Sequence, residues 1–187
     1  MRKRSLSDFR VLVVPGLNNS GPQHWQSRWQ RLYPGFERVE QERWDVPALA
    51  VWSQRLREVL EVPVPLRKPI LLVAHSFGCL TSVHSALIKD ALPEDLVAGA
   101  LLVAPADPEK FGVSTEVRAC LPFPSILVGS LNDPWMAVHQ ALKWADVWGA
   151  EFVDAGALGH INAESRLGDW LYGQSLLKRL VQKVDVT

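Results

Sequence analysis

The chain has few of the features that mark specialised classes of protein. It holds two cysteines, Cys79 and Cys120, whose spacing fits neither a metal site nor a disulfide framework. Basic and acidic residues number 20 each, so no positive excess points to nucleic acid. No apolar run approaches the roughly 20 residues that cross a bilayer. We therefore expect no metal ion, no nucleic-acid partner and no membrane partner.

The amino-terminal segment and the composition favour a cytoplasmic globular domain. Residues 2–4 are basic, but polar residues follow them instead of the apolar core of a signal peptide. Hydrophobic residues make up 48% of the chain and charged residues 21%, close to the globular average. Because 187 residues correspond to one domain, we expect a single domain over residues 1–187.

Short, β-branched apolar segments alternate with longer segments of helical periodicity. This alternation predicts βαβ units and a mostly parallel six-stranded sheet, a three-layer α/β/α sandwich. Residues 104–123 contain prolines and predict an irregular segment with at most a short helix. The predicted strands cover residues 9–14, 36–41, 70–74, 96–103, 125–129 and 151–154, and the predicted helices cover 22–33, 49–60, 77–91, 135–148 and 168–184.

The stretch LLVAHSFGCL, residues 71–80, carries a candidate nucleophile. It is close to G-x-S-x-G, the turn that presents a nucleophilic serine between a strand and a helix. Small residues are needed two positions on either side of Ser76 because strand and helix converge there. Gly78 meets this need, and Ala74 adds one methyl group. Since Ser76 is also a plausible helix cap, the pentapeptide alone leaves both readings open.

A serine nucleophile needs a histidine to accept its proton and a carboxylate to orient that histidine. His160 lies in a loop of small residues after the sixth predicted strand, which suits a general base. Asp133, after the fifth strand, is the preferred carboxylate, although an aspartate before Pro134 is also typical of a helix N-cap. Asp107 is the main competitor, and Asp154 is a weaker one because only six residues separate it from His160.

Two backbone N–H groups are expected to form an oxyanion hole. Phe77 directly follows the nucleophile, and Leu17 lies in the loop after the first strand, where Pro-Gly is also compatible with a simple turn. Candidate substrate contacts are Asn18 in that loop and Trp135, two residues after the preferred acid. Aromatic walls are common in pockets.

The other histidines have weaker claims to a catalytic role. His24 either contacts substrate or simply starts its helix. His75 precedes the candidate nucleophile, and we expect its ring to point elsewhere on the turn. His84 and His139 fall within predicted helices and are expected to be structural.

Four ordered parts of the chain, each at a predicted strand end, carry a family resemblance. They are VVPG (13–16) with GPQHW (21–25), AHSFG (74–78), NDP (132–134) and GHINAES (159–165). Together they resemble the α/β-hydrolase superfamily, and within it the small serine hydrolases grouped with retinoblastoma-binding protein nine and bacterial YdeN. The resemblance implies a Ser76, Asp133, His160 triad, prefers Asp133 over Asp107, and makes Ala74 an accepted variation.

We therefore predict a serine hydrolase that needs no cofactor, and we expect a carboxylesterase. Residues 104–123 leave room for a loop but not for a cap domain, so the site should be open and its acyl substrate small or short-chained. Two alternatives stay open on the same fold. One is a protein-interaction module with little or no catalysis, although a protein partner has no support in the sequence. The other is acyl transfer to an acceptor other than water.

Overall fold

The computed structural model describes residues 4–62, 68–88 and 96–184. In these ranges six strands form one sheet in the order β2-β1-β3-β4-β5-β6, and all neighbouring strands are parallel. The predicted α/β architecture is confirmed. The strands are β1 Arg10–Val14, β2 Phe36–Arg38, β3 Ile70–His75, β4 Val97–Val103, β5 Ser125–Gly129 and β6 Glu151–Asp154; the helices are α1 Trp25–Leu32, α2 Leu49–Glu61, α3 Phe77–Leu87, α4 Val138–Trp148 and α5 Leu171–Val184.

Successive strand residues pack into two different apolar cores, one on each face of the sheet. Leu12 and Leu72 pack with residues of α2, α3 and α4, whereas Val13 and Val73 pack with residues of α1 and α5. Because helices cover both faces, the four central strands, β1, β3, β4 and β5, are apolar at nearly every position rather than at alternate ones. Five tryptophans are fully buried in these cores: Trp25, Trp29, Trp52, Trp144 and Trp148.

Three helices begin later than the apolar periodicity predicts. His24 is the N-cap residue of α1, so the helix starts after it. Before α4, the Asp133 carboxylate accepts the Trp135 N–H in a turn. Before α5, Gly168 and Trp170 have φ angles of 57° and 41°, which a right-handed helix does not contain. The predicted starts at residues 22, 135 and 168 are therefore wrong.

The carboxyl ends of the strands form the edge at which a ligand would bind. β2 lies on one side of β1 in the sheet, and β3 lies on the other side. The direction of strand addition therefore reverses at β1, which creates a topological switch point between β1 and β3. Residues 104–123 contain turns but neither helix nor strand, as predicted, so this segment forms no cap domain over the edge. The predicted end of α3 at residue 91 lies outside the described residues. Among the helices described, none has the length and apolar character needed to cross a membrane.

Candidate active site

Ser76 lies on a strained turn between β3 and α3. Its φ and ψ angles are 54° and −124°, a region that residues with a side chain rarely adopt. The Ser76 N–H donates to the Val103 carbonyl at the end of β4, which helps to hold this conformation. Ser76 occupies the N-cap position of α3, but its hydroxyl makes no capping hydrogen bond. The capping alternative therefore does not account for this side chain.

Two glycines allow the backbone to pack closely around this turn. A Cβ atom added at Gly78 would lie 2.2 Å from the Val14 carbonyl oxygen. One added at Gly16 would lie 2.7 Å from the Ser76 Cβ and 3.2 Å from the Phe77 nitrogen. The end of β1 and the loop after it therefore lie directly against the Ser76 turn.

A continuous hydrogen-bonded chain connects Ser76, His160 and Asp133. The Ser76 Oγ lies 2.9 Å from His160 Nε2, and His160 Nδ1 lies 2.9 Å and 3.0 Å from the two Asp133 carboxylate oxygens. The side chains of His160 and Asp133 are only 10% and 2% exposed. The carboxylate accepts the Nδ1 proton, which leaves Nε2 free to accept the serine proton. The structure thus brings together the three side chains that the sequence predicts as nucleophile, base and acid.

The two competing aspartates accept backbone N–H groups in local turns, as Asp133 also does, so what distinguishes the three is the contact with His160. Asp107 is 6% exposed, and its carboxylate accepts the Glu109 N–H at 2.9 Å. Asp154 accepts the Gly156 N–H at 2.8 Å. Among the described contacts of His160, the carboxylate partner is Asp133.

The loop that carries Asp133 also holds the loop that carries His160. Asn132 Oδ1 accepts the Gly159 N–H at 2.7 Å, and Ser130 Oγ accepts the Leu158 N–H at 2.9 Å. The two side chains are themselves linked, because Ser130 Oγ lies 3.1 Å from Asn132 Oδ1. Sequence reasoning gave neither residue a role, although Asn132 belongs to the NDP segment that carries the family resemblance.

His24 and His75 lie together behind the candidate base. The expectation that the His75 ring points elsewhere is wrong, because its Nε2 lies 2.9 Å from the His160 carbonyl oxygen. His24 is the N-cap residue of α1 and is 4% exposed, so of its two expected roles the structure favours the start of the helix over a substrate contact. Burial, followed by the charge of Arg38, lowers the pKa of His24 to about 3. Burial also lowers the pKa of His75 well below its ordinary value.

The two candidate oxyanion donors are adjacent to this chain of side chains. The Phe77 N–H lies in the first turn of α3, where no intrahelical acceptor exists. Gly16 brings the loop that contains Leu17 against the same nitrogen, and the Leu17 N–H has no acceptor among the described residues. Asn18 is exposed with φ of 62°, and the Trp135 side chain is 60% exposed.

A separate surface cavity lies at the opposite end of the sheet. Its volume is about 840 Å³, and its lining includes Arg10 and Phe36 at the starts of β1 and β2, together with Val181 in α5. None of the Ser76, His160 and Asp133 side chains lines it. Because ligands of parallel sheets bind outside the carboxyl ends of the strands, the Ser76 turn is the stronger candidate.

Comparison with known proteins identifies the family to which the chain belongs. Residues 11–179 match the family described as serine hydrolase. The chain belongs to the serine hydrolase family. A YdeN-like hydrolase from Pectobacterium atrosepticum shares 37% identity with this serine hydrolase, at a TM-score of 0.84 over 95% of this chain and 91% of that one. The expected relationship to the small α/β-hydrolases is confirmed.

More distant solved structures share the fold of this serine hydrolase. The ydeN gene product of B. subtilis is 16% identical, with a TM-score of 0.75 over 94% of this chain and 100% of that chain. Est1E from Butyrivibrio proteoclasticus is 10% identical, with a TM-score of 0.69 over 94% of this chain and 89% of that chain. No curated protein matches the sequence.

Proposed function

We propose that this serine hydrolase is a carboxylesterase that acts on small or short-chain acyl esters. Ser76 is its nucleophile, His160 its general base and Asp133 the carboxylate that orients the base. The observation that carries the proposal is the unbroken hydrogen-bonded chain, with 2.9 Å between Ser76 Oγ and His160 Nε2 and 2.9 Å between His160 Nδ1 and Asp133. Both distances lie within hydrogen-bond range, and the first permits direct proton transfer from Ser76 to His160.

The reaction proceeds through an acyl-enzyme. Ser76 Oγ attacks the ester carbonyl carbon while its proton passes to His160 Nε2, and the Asp133 carboxylate stabilises the resulting imidazolium. The Leu17 and Phe77 N–H groups donate to the oxyanion. His160 returns the proton to the departing alcohol as the ester C–O bond breaks. Water then loses a proton to His160, attacks the acyl carbon and releases the carboxylic acid, while Ser76 recovers its proton.

The surroundings of the edge support a small acyl group. Exposed apolar side chains follow β4 and β5 on the same edge as Ser76, with Phe111, Leu131 and Trp135 at 37%, 56% and 60% exposure. The centroids of the Phe111 and Phe77 rings lie 5.0 Å apart. Lys110 Nζ donates to the Trp135 carbonyl, which connects the loop after β4 to the loop after β5. Apolar walls without a cap domain favour short acyl chains or exposed esters.

We also propose that the chain is one cytoplasmic domain. Each of the two apolar cores includes residues of β1, β3, β4 and β5, which supports a single folding unit. Cys79 and Cys120 are both free thiols, as a reducing compartment favours.

Labelling with a serine-directed fluorophosphonate tests the enzyme assignment. We expect the folded protein to be labelled at Ser76 and the Ser76→Ala variant to remain unlabelled. A folded wild-type protein that resists the probe would remove the enzyme assignment and favour the interaction-module alternative.

A panel of acyl esters tests the substrate class. We expect acetyl and butyryl esters to be hydrolysed faster than long-chain esters; a strong preference for long chains would refute the proposal. The panel includes a feruloyl ester, because a solved structure of Est1E holds ferulic acid. Added alcohol acceptors distinguish hydrolysis from acyl transfer, since a transferase forms the new ester in place of the free acid.

Substitution of the two competing aspartates tests the assignment of the acid. Asp133→Asn is expected to lower kcat by roughly 10⁴, the magnitude known for the chymotrypsin triad aspartate. Asp107→Asn is the matched control and is expected to keep kcat near the wild-type value. The opposite result would transfer the role to Asp107.

A further inference from the structure

We propose that His75 is a positioning residue that fixes the backbone of the catalytic histidine relative to the nucleophile. The proposal rests on the catalytic roles assigned above to Ser76 and His160. His75 itself touches neither the substrate nor the reacting atoms. Its effect is to hold the His160 backbone through the His160 carbonyl.

The backbone around His160 needs such a support. Gly159 and Ile161, on either side of it, have φ angles of 60° and 47°, so two left-handed residues flank the base. Ile161 has a β-branched side chain, for which this conformation is strained. His75 Nε2 lies 2.9 Å from the His160 carbonyl oxygen, and Trp25 Nε1 donates to the Ile161 carbonyl at 2.8 Å. Two buried rings therefore hold successive carbonyls of the strained segment.

His75 closes a ring of contacts that includes the nucleophile. One peptide bond connects it to Ser76, its side chain holds the His160 carbonyl, and the His160 ring lies 2.9 Å from Ser76 Oγ. A single residue thus connects the backbone of the nucleophile to the backbone of the base. Displacement of the His160 backbone would change the distance between Nε2 and Oγ directly.

The surroundings keep the His75 ring in one orientation and one protonation state. Its centroid lies 4.6 Å from that of His24 and 4.9 Å from that of His160, and both contacts are edge-on. Because a carbonyl oxygen can only accept, His75 Nε2 must carry a proton. His75 is 5% exposed, and burial lowers its pKa, so the ring stays neutral when His160 takes up the serine proton.

Kinetics of donor and donor-less variants test the proposal. His75→Phe keeps an aromatic ring but removes the donor, and we expect kcat to fall about 10-fold to 100-fold while KM stays within about 2-fold. His75→Gln keeps an N–H at the end of a side chain of similar reach and is expected to recover most of the lost kcat. The matched control is His84→Phe, since the His84 ring bonds to Ser53 and not to the loop of the base.

A spectroscopic measurement separates positioning from a general loss of stability. The proton on His160 Nδ1, shared with Asp133, is expected as a low-field NMR resonance in the wild type and in His75→Gln. We expect it to broaden or shift in His75→Phe and to be unchanged in His84→Phe. If His75→Phe fails to fold, the outcome depends on His75→Gln. A folded His75→Gln protein with a kcat reduced 10-fold or more, or with an altered resonance, overturns the proposal.

An unchanged kcat and resonance in a folded His75→Phe protein overturns the proposal equally. These outcomes differ from a failure of the proposed function. If the proposed function is wrong, the wild-type protein itself would resist the fluorophosphonate probe. The His160 Nδ1 resonance would still report on the contact between His75 and His160.

Discussion

Gly78→Ala places a methyl group where α3 meets the end of β1. The added Cβ would lie 2.2 Å from the Val14 carbonyl oxygen and 2.6 Å from the Pro15 carbonyl oxygen. Ordinary contacts begin at 3.4 Å, so the overlap with the Val14 oxygen is 3.4 − 2.2 = 1.2 Å. Both obstacles are backbone atoms, which cannot rotate away as a side chain would. The first turn of α3 must therefore move by about 1 Å, the scale at which catalytic misplacement costs about 10²-fold.

The same movement would act on both catalytic functions of the turn. Ser76 and Phe77 directly precede the displaced residue, so the nucleophile and one oxyanion donor move together. We expect kcat/KM on a short-chain ester to fall about 10²-fold. We also expect the free energy of unfolding in urea to drop by about 1–3 kcal/mol, the usual cost of overpacking a core. The rate of fluorophosphonate labelling should fall with kcat/KM.

Gly35→Ala is the control for the loss of a glycine. A Cβ atom at Gly35 meets no described atom within 4 Å, so activity and stability should stay close to wild type. If Gly78→Ala retains full activity and unchanged stability, the close approach of α3 to β1 does not position Ser76, and our account of the turn is wrong.

Three further predictions follow from the same structure. Ala74→Leu should displace Ser76 and abolish most esterase activity, whereas Ala74→Gly should keep it; a fully active leucine variant would contradict the close packing around the fully buried Ala74. Trp135→Ala should raise KM for apolar acyl esters with little change in kcat, and an unchanged KM would remove Trp135 from the binding wall. The pKa of His24 is about 3 in the folded protein and 6.5 when unfolded, so the unfolded chain binds the proton more readily, and stability is lost as the pH falls below 6.5. Urea unfolding should therefore show about 2 kcal/mol less stability from His24 at pH 5 than at pH 7.5, and His24→Gln should reduce this difference; an equal pH dependence in both proteins would contradict it.

The sheet was predictable because its strands carry a strong and local signal. The central strands β1, β3, β4 and β5 are short apolar runs stopped by proline, glycine or polar residues. β5 and β6 have the predicted bounds, residues 125–129 and 151–154. Helix starts were less predictable because periodicity does not show where the backbone turns left-handed. The φ of 41° at Trp170, a residue that packs in the core, has no signature in the pattern of apolar residues.

The sequence predicted the residues of the candidate triad but not the residues that hold them in position. In a parallel sheet every strand ends at the same edge, so residues that follow β3, β5 and β6 must lie close together. The role of His75 depends instead on the direction of its ring. That direction follows from the strained turn at Ser76 and from the packing of α1, and neither is visible in the sequence between residues 71 and 80.

The hydrogen bonds of the triad are too weak to assemble the site by themselves. A typical hydrogen bond contributes about 1 kcal/mol net, or about 1.5–3 kcal/mol where one partner is charged. The positive φ angles at Ser76 and Ile161 each cost about 1–3 kcal/mol, so strain of this size offsets what the triad contributes. The surrounding backbone must therefore hold the geometry before the triad forms. Three contacts do so: Gly16 packs against Ser76, His75 holds His160, and Asn132 holds Gly159.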